Sequence, residues 1–195
     1  MLEALTGTGL AASAGLNAYI PLLLVGLLGR YTDLITLPSG WSWLSNGWVL
    51  VILAVLLVIE MVADKVPVVD SVNDVVQTVV RPTAGGLAFG AASTSETVSV
   101  QDPGAFFSGH QWVSIVLGVV VALVVHGIKS LARPLLNAMS IGVAAPVVST
   151  AEDFTSVVMS LVAIIVPILV LLCLAGLFVA AWWLLNRRRL RRTSG

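Results

Sequence analysis

Hydrophobic positions along this chain come in long blocks, and the polar ones gather at the seams between them. A hydrocarbon layer about 30 Å thick takes about 20 apolar residues in helix, so block length is the first thing to read. The first block, Leu5 to Gly29, is long enough, but Gly15-Leu16-Asn17-Ala18-Tyr19-Ile20-Pro21 interrupts it. Glycine loosens a helix and proline withdraws an amide donor, so residues 1–30 are predicted to form a broken first span. A short polar loop with Arg30, Asp33 and Pro38 follows, then Trp41, Trp43 and Trp48, placed as an interfacial belt. A second span is predicted over 48–66, nearly pure Val, Leu and Ile until Glu60.

The pattern then changes. Asp70, Asp74, Gln77 and Arg81 recur at helical spacing, and valines 68, 72, 75, 76 and 79 occupy the opposite side. This predicts an amphipathic helix over 68–81, ended by Pro82. Residues 83–100 are small and glycine-rich, which suits a short or re-entrant segment or a poor span packed against neighbours. A clear span is predicted over 111–130. Ser149-Thr150-Ala151-Glu152-Asp153 resembles a helix N-cap with acids in the first turn. It opens a long C-terminal span over 153–186, about 50 Å as one helix, which has to tilt, protrude or bend at Pro167. Residues 187–195 form a basic tail behind Trp182-Trp183, and the positive-inside rule places that tail in the cytoplasm. Lys65 and Lys129 each close an apolar span, and Arg81-Pro82 and Arg133-Pro134 each precede a small-residue stretch. Such internal repetition suits transporter architecture.

Composition sharpens the class. Of 195 residues, 58% are hydrophobic and 10% charged, with a mean hydropathy of +1.02. A soluble domain carries roughly 25% charged residues. Soluble enzyme, nucleic-acid binder and disordered chain are excluded together. The expectation is an all-α polytopic membrane helix bundle, a single domain over 1–195 with about five membrane segments, broken or re-entrant helices and one amphipathic helix. Net charge is zero, so only the placement of charges is informative. The N-terminus lacks the basic start of a cleaved leader, so its apolar stretch is expected to be retained. One cysteine and two histidines cannot supply the usual zinc ligand set, and no cofactor is expected.

Ionisable groups inside a membrane are expensive and mark pathways. Glu60 and Asp64 lie i, i+4 at the end of an apolar helix, where two carboxylates can hold a proton or a hard cation. The alternative for Asp64-Lys65 is an interfacial pair with the lysine snorkelling. His126, Lys129 and Arg133 share a helix face; the histidine suits proton relay, and Lys129, Arg133 and Arg81 suit counter-charges or an anionic headgroup. Asp70, Asp74 and Arg81 read as a solvated face or a cavity lining, and Glu152 and Asp153 join the polar set. Asn17 marks a helix break that can expose backbone carbonyls. If 83–100 crosses the membrane, these groups all lie toward one, outer, side. The leading expectation is a small ion- or proton-coupled transporter with Glu60, Asp64 and His126 as binding residues. The alternative is a non-transporting lipid-binding or scaffold protein; in either case so few spans suit a homo-oligomer. No nucleophile elbow, HExxH or Walker motif is present, so an enzyme is not expected.

Gly15-Leu16-Asn17-Ala18-Tyr19, Glu60-xxx-Asp64-Lys65-Val66-Pro67-xx-Asp70, Arg81-Pro82, His126-xx-Lys129-xxx-Arg133 and Ser149-xx-Glu152-Asp153 together resemble a family of small bacterial multi-pass membrane proteins described only as a domain of unknown function. The resemblance spans almost the whole chain. It implies a polytopic inner-membrane protein and brings no activity. Where that family reads Ser-Pro-Glu-Pro and then Ser-Asn, this chain has Ile141-Gly142-Val143-Ala144-Ala145-Pro146 and Val148-Ser149.

Overall fold

The structure, a computed structural model, describes residues 2–65, 67–93, 111–140, 145–179 and 182. All regular structure among the described residues is helical. The elements are α1 (Leu2–Leu16), α2 (Tyr19–Tyr31), a 3-10 helix (Ser39–Ser45), α3 (Gly47–Ala63), α4 (Pro67–Ser93), α5 (Gln111–Ser140), α6 (Ala145–Ile165) and α7 (Pro167–Val179).

The Asn17-Ala18 break reverses the chain. Val25 of α2 lines the same cavity as Thr6 and Leu10 of α1, so α2 returns alongside α1. With 15 and 13 residues, the two helices are about 22 and 20 Å long, each short of a full crossing. Residues 1–30 are therefore a hairpin and not one broken span. The cause is local: Asn17 Oδ1 accepts the amides of Tyr19 (3.1 Å) and Ile20 (3.3 Å), which caps a new helix in a new direction. Helix α1 forms the centre of the bundle, against α4, α5 and α6. Its run of Ala11, Ala12, Ala14 and Gly15 is fully buried and lets those neighbours approach closely.

Two prolines fail to end their helices. Pro82 lies inside α4, so the amphipathic stretch and the glycine-rich stretch are one helix of 27 residues. Proline withdraws one donor from the ladder, and neighbouring hydroxyls can make new bonds to backbone carbonyls. Here Thr83 Oγ1 donates to the Val79 carbonyl (2.8 Å) and Thr78 Oγ1 to the Asp74 carbonyl (2.9 Å), adding bonds on the turns beside the Thr78 carbonyl that Pro82 leaves without its amide. Pro134 likewise falls inside α5, which extends ten residues beyond the expected end at 130. A third boundary moves the other way. Helix α6 begins at Ala145, so Ser149 to Asp153 lie within it and no acid occupies its first turn. At the far end the helix breaks at Val166, and Pro167 opens a new turn.

Helix α4 is amphipathic in reverse. Gln77 and Arg81 are buried, whereas Val75 and Val79 are 72% and 71% exposed. Val51, Val55, Val58 and Val62 give α3 an equally apolar outer side. A polar interior within an apolar surface is the arrangement a bilayer selects. By length and hydropathy, α5 and α6 qualify as spans among the described residues. The 3-10 helix and α3, bent by 59°, qualify together as a third. The expected five segments thus reduce to two or three on this criterion. The basic tail of 187–195 and the segment 94–110 lie outside the described residues.

Candidate functional site

The polar residues converge at one end of the bundle. Glu60 and Asp64 sit at the end of α3 and Asn73 to Arg81 in the first half of α4. His126 to Arg133 come from the second half of α5 and Ser149 to Asp153 from the first half of α6. The α1–α2 turn points into the same place.

Arg81 is the hub. It is 0% exposed, and its Nη2 donates to Glu60 Oε1 (3.0 Å) and lies 3.7 Å from Asp64 Oδ2. Asp64 Oδ2 also faces Lys129 Nζ (3.4 Å) and Arg133 Nη1 (3.6 Å), while Asn73 donates to Oδ1 (2.8 Å). The Asp64 carbonyl accepts from Arg133 Nη2 (3.3 Å). Lys129 bridges to Glu152 Oε2 (3.0 Å), which Arg133 also approaches (3.6 Å), and Asp74 lies 3.9 Å from Arg133. Burying a charge is tolerable only with partners, and here each acid is set against a shared cation.

Helix ends contribute too. The hairpin leaves the last carbonyls of α1 without intrahelical donors. Lys129 Nζ donates to the Leu16 carbonyl (3.1 Å), placing a cation at the negative end of that helix. Asn17 uses its carbonyl oxygen to cap α2 and its amide to hold Asp153 Oδ1 (2.9 Å). The expected exposure of backbone at this break is thereby met by a lysine.

His126 has a defined role in the network. Arginine has only donors, so His126 Nδ1 accepts from Arg81 Nη1 (3.1 Å) and the ring proton resides on Nε2. Nε2 faces the hydroxyls of Thr78 (3.2 Å) and Ser130 (3.4 Å). Arg81 is therefore shared between a carboxylate and a neutral imidazole.

Of the residues singled out from the sequence, Asn17, Glu60, Asp64, Asp74, Arg81, His126, Lys129, Arg133, Glu152 and Asp153 meet in this network. Lys65 stands apart: its Nζ donates to the Met61 carbonyl (2.9 Å), one turn back on α3, as a snorkelling lysine would. The side chain of Asp70 lies outside the described residues. Asn73, Thr78 and a buried trio, Ser13, Ser156 and Ser160, were missed. The α6 serines were legible in principle, because Ser149, Asp153, Ser156 and Ser160 keep helical spacing inside an apolar run.

Among the described residues, four carboxylates (Glu60, Asp64, Asp74, Glu152) face three cations (Arg81, Lys129, Arg133), and a fifth, Asp153, is held by Asn17, so the described cluster has more acids than cations. Glu60 Oε2 and Asp153 Oδ2 are buried without a hydrogen-bond partner among the described residues. Among the described residues no group of three or more His, Cys, Asp and Glu is placed to hold a metal ion.

Residues 4–187 match the family model described as Domain of unknown function (DUF4126), in keeping with the motifs noted in the sequence. No curated protein and no solved structure matches the chain.

Proposed function

Since the chain belongs to the DUF4126 family, whose description assigns no activity, function rests on the site itself, and we propose a small proton-coupled membrane transporter in which Glu60 carries the proton. The observation that carries this reading is the buried cluster with more carboxylates than cations, centred on an arginine shared by Glu60 and His126. Protonating Glu60 removes the charge that holds Arg81 Nη2, and the guanidinium is then free to shift toward Asp64, already 3.7 Å away. The proton's arrival is thereby coupled to repacking of α3 against α4. Asp64 keeps three cations together and is a positioning residue, while His126 anchors Arg81 from the α5 side and receives a proton only if Arg81 leaves.

In this reading α3, α4, α5 and α6 cross a bacterial inner membrane and the α1–α2 hairpin enters and leaves from one side. The basic C-terminal tail is cytoplasmic. An anionic-headgroup site draws less support, because Arg81, Lys129 and Arg133 each already face a carboxylate. A hard-cation site draws less support for want of a three-ligand group among the described residues.

The test is proton flux into proteoliposomes loaded with a pH-sensitive dye under an imposed potential. Wild-type protein should acidify the lumen, and Glu60→Gln should fall to the rate of protein-free vesicles while eluting as the same folded species. Wild-type flux from Glu60→Gln would overturn the assignment.

A further inference from the structure

A cavity of about 210 Å³ lies at the other end of the bundle. Thr6 and Leu10 of α1, Val25 of α2, Thr36 of the following loop, Ala91 of α4 and Ile164 of α6 line it. The charged cluster touches three of the same helices at Asn17, Arg81 and Asp153. Along each, the two sites are separated by about 15 Å of helix, roughly half a hydrocarbon layer. Thr36 belongs to the loop that leads into the tryptophan-rich 3-10 helix, so the cavity opens at the interfacial end of the bundle.

Between the two sites lies the serine trio. Ser13 Oγ is 2.7 Å from Ser156 Oγ and 2.6 Å from Ser160 Oγ, and all three serines are fully buried. Asp153, with its unpartnered Oδ2, precedes Ser156 by one turn on α6. On the cavity side, Leu10 precedes Ser13 by one turn and Ile164 follows Ser160 by one turn. Hydroxyls that bond only backbone carbonyls would suffice to glue two helices. Ser13 Oγ does donate to the Ser156 carbonyl (2.8 Å) and Ser156 Oγ to the Ser13 carbonyl (3.2 Å). The hydroxyls also contact each other, which is what a relay needs: on rotating away from its carbonyl, a hydroxyl accepts a proton on its oxygen and passes its own to the next.

We propose that Ser13, Ser156 and Ser160 form a proton pathway joining Asp153 and the charged cluster to the Thr6–Thr36 cavity, with Leu10 and Ile164 as the single apolar layer across it. The cavity is then the second aqueous vestibule of the transporter, and the cargo of this segment is the proton alone. The proposal rests on the transport reading above.

The same proteoliposome flux assay tests it in a Cys173→Ser background. Ser13→Ala should slow proton flux about tenfold or more, the scale on which a positioned proton-transfer group acts. Thr8→Ala, between Thr6 and Leu10 in α1 but not among the lining residues, and with its hydroxyl on the Ala4 carbonyl, should match wild type. To guard against misfolding of Ser13→Ala, Thr6→Cys and Thr36→Cys are assayed before and after a small hydrophilic thiol reagent, which should block their flux. Wild-type protein that moves no protons overturns the transport reading and the pathway with it. Wild-type flux accompanied by undiminished flux in Ser13→Ala, or by thiol-modified Thr6→Cys and Thr36→Cys that still conduct, overturns the pathway alone.

Discussion

Arg81 illustrates what single residues do in this protein. Its side chain is fully buried and touches Glu60, Asp64 and His126; removing it strands Glu60 in an apolar interior, whereas Asp64 keeps Lys129 and Arg133. Breaking a buried pair by deleting one partner costs about 3–5 kcal/mol, whereas deleting both can be close to neutral. Arg81→Gln should therefore lower the unfolding midpoint in detergent more than the Glu60→Gln/Arg81→Gln double variant does. A double variant as unstable as the single would show that the pair is not energetically coupled. Asn17 is the second such residue, because it caps α2 and holds Asp153 at once. Asn17→Ala should cost about 0.5–2 kcal/mol for the cap alone. Asn17→Asp keeps the cap but sets a carboxylate against Asp153, and thermal unfolding should rank it below Asn17→Ala. Both residues were recognisable in the sequence as polar positions in apolar blocks. Their partners were not, because Asn17–Asp153 and Arg81–His126 contacts join positions far apart in the chain.

At the scale of elements, close approach of helices is decided by glycine. A Cβ on Gly118 would fall into the Gly85 carbonyl of α4, and one on Gly85 would meet the Gly118 carbonyl at 2.8 Å. Gly85→Val or Gly118→Val should push α4 and α5 apart and weaken the cluster that both helices carry. Gly127, also on α5, has nothing within 4 Å of its Cβ position. Gly127→Ala should be neutral or stabilising by about 0.5–1 kcal/mol, as in any helix interior. Unfolding midpoints of the three variants check both statements; equal loss in all of them would refute the contact argument. Helix boundaries were less legible than helix positions. Pro82 reads as a stop from local rules, yet packing of α4 against α1 and α5 outweighs the loss of one backbone hydrogen bond. Ser149 to Asp153 read as a cap because the residues fit the local motif, yet they lie inside α6.

For the whole molecule, the hairpin of α1 and α2 has a consequence for topology. A single broken span places Leu2 and Thr32 on opposite sides of the membrane, and a hairpin places them on the same side. Single cysteines at these positions in a Cys173→Ser background, labelled in intact cells by an impermeant maleimide, should react alike; labelling of only one would restore the single crossing. Burial of the ion pairs has a second consequence at this scale. Exposed ion pairs are screened by salt and buried ones much less, so the stability of the purified protein should change little between low and high ionic strength. A steep fall in unfolding midpoint with salt would place the cluster in contact with bulk water.

Read alone, the sequence determined the solvent, the helical class, the positions of the apolar blocks and nearly all the charged residues of the cluster. Each of these follows from composition and from the 3.6-residue period, which are local properties. Periodicity states which side of a helix is polar, but it does not state which neighbour that side meets. Only the tertiary structure decided that α2 turns back, that α4 runs through its proline, and that Arg81 lies between Glu60 and His126. It also set the serine trio between the charged cluster and the cavity. These arrangements depend on helix-to-helix contacts between distant segments, where small residues permit close approach and buried charges exclude every packing that leaves them unpaired.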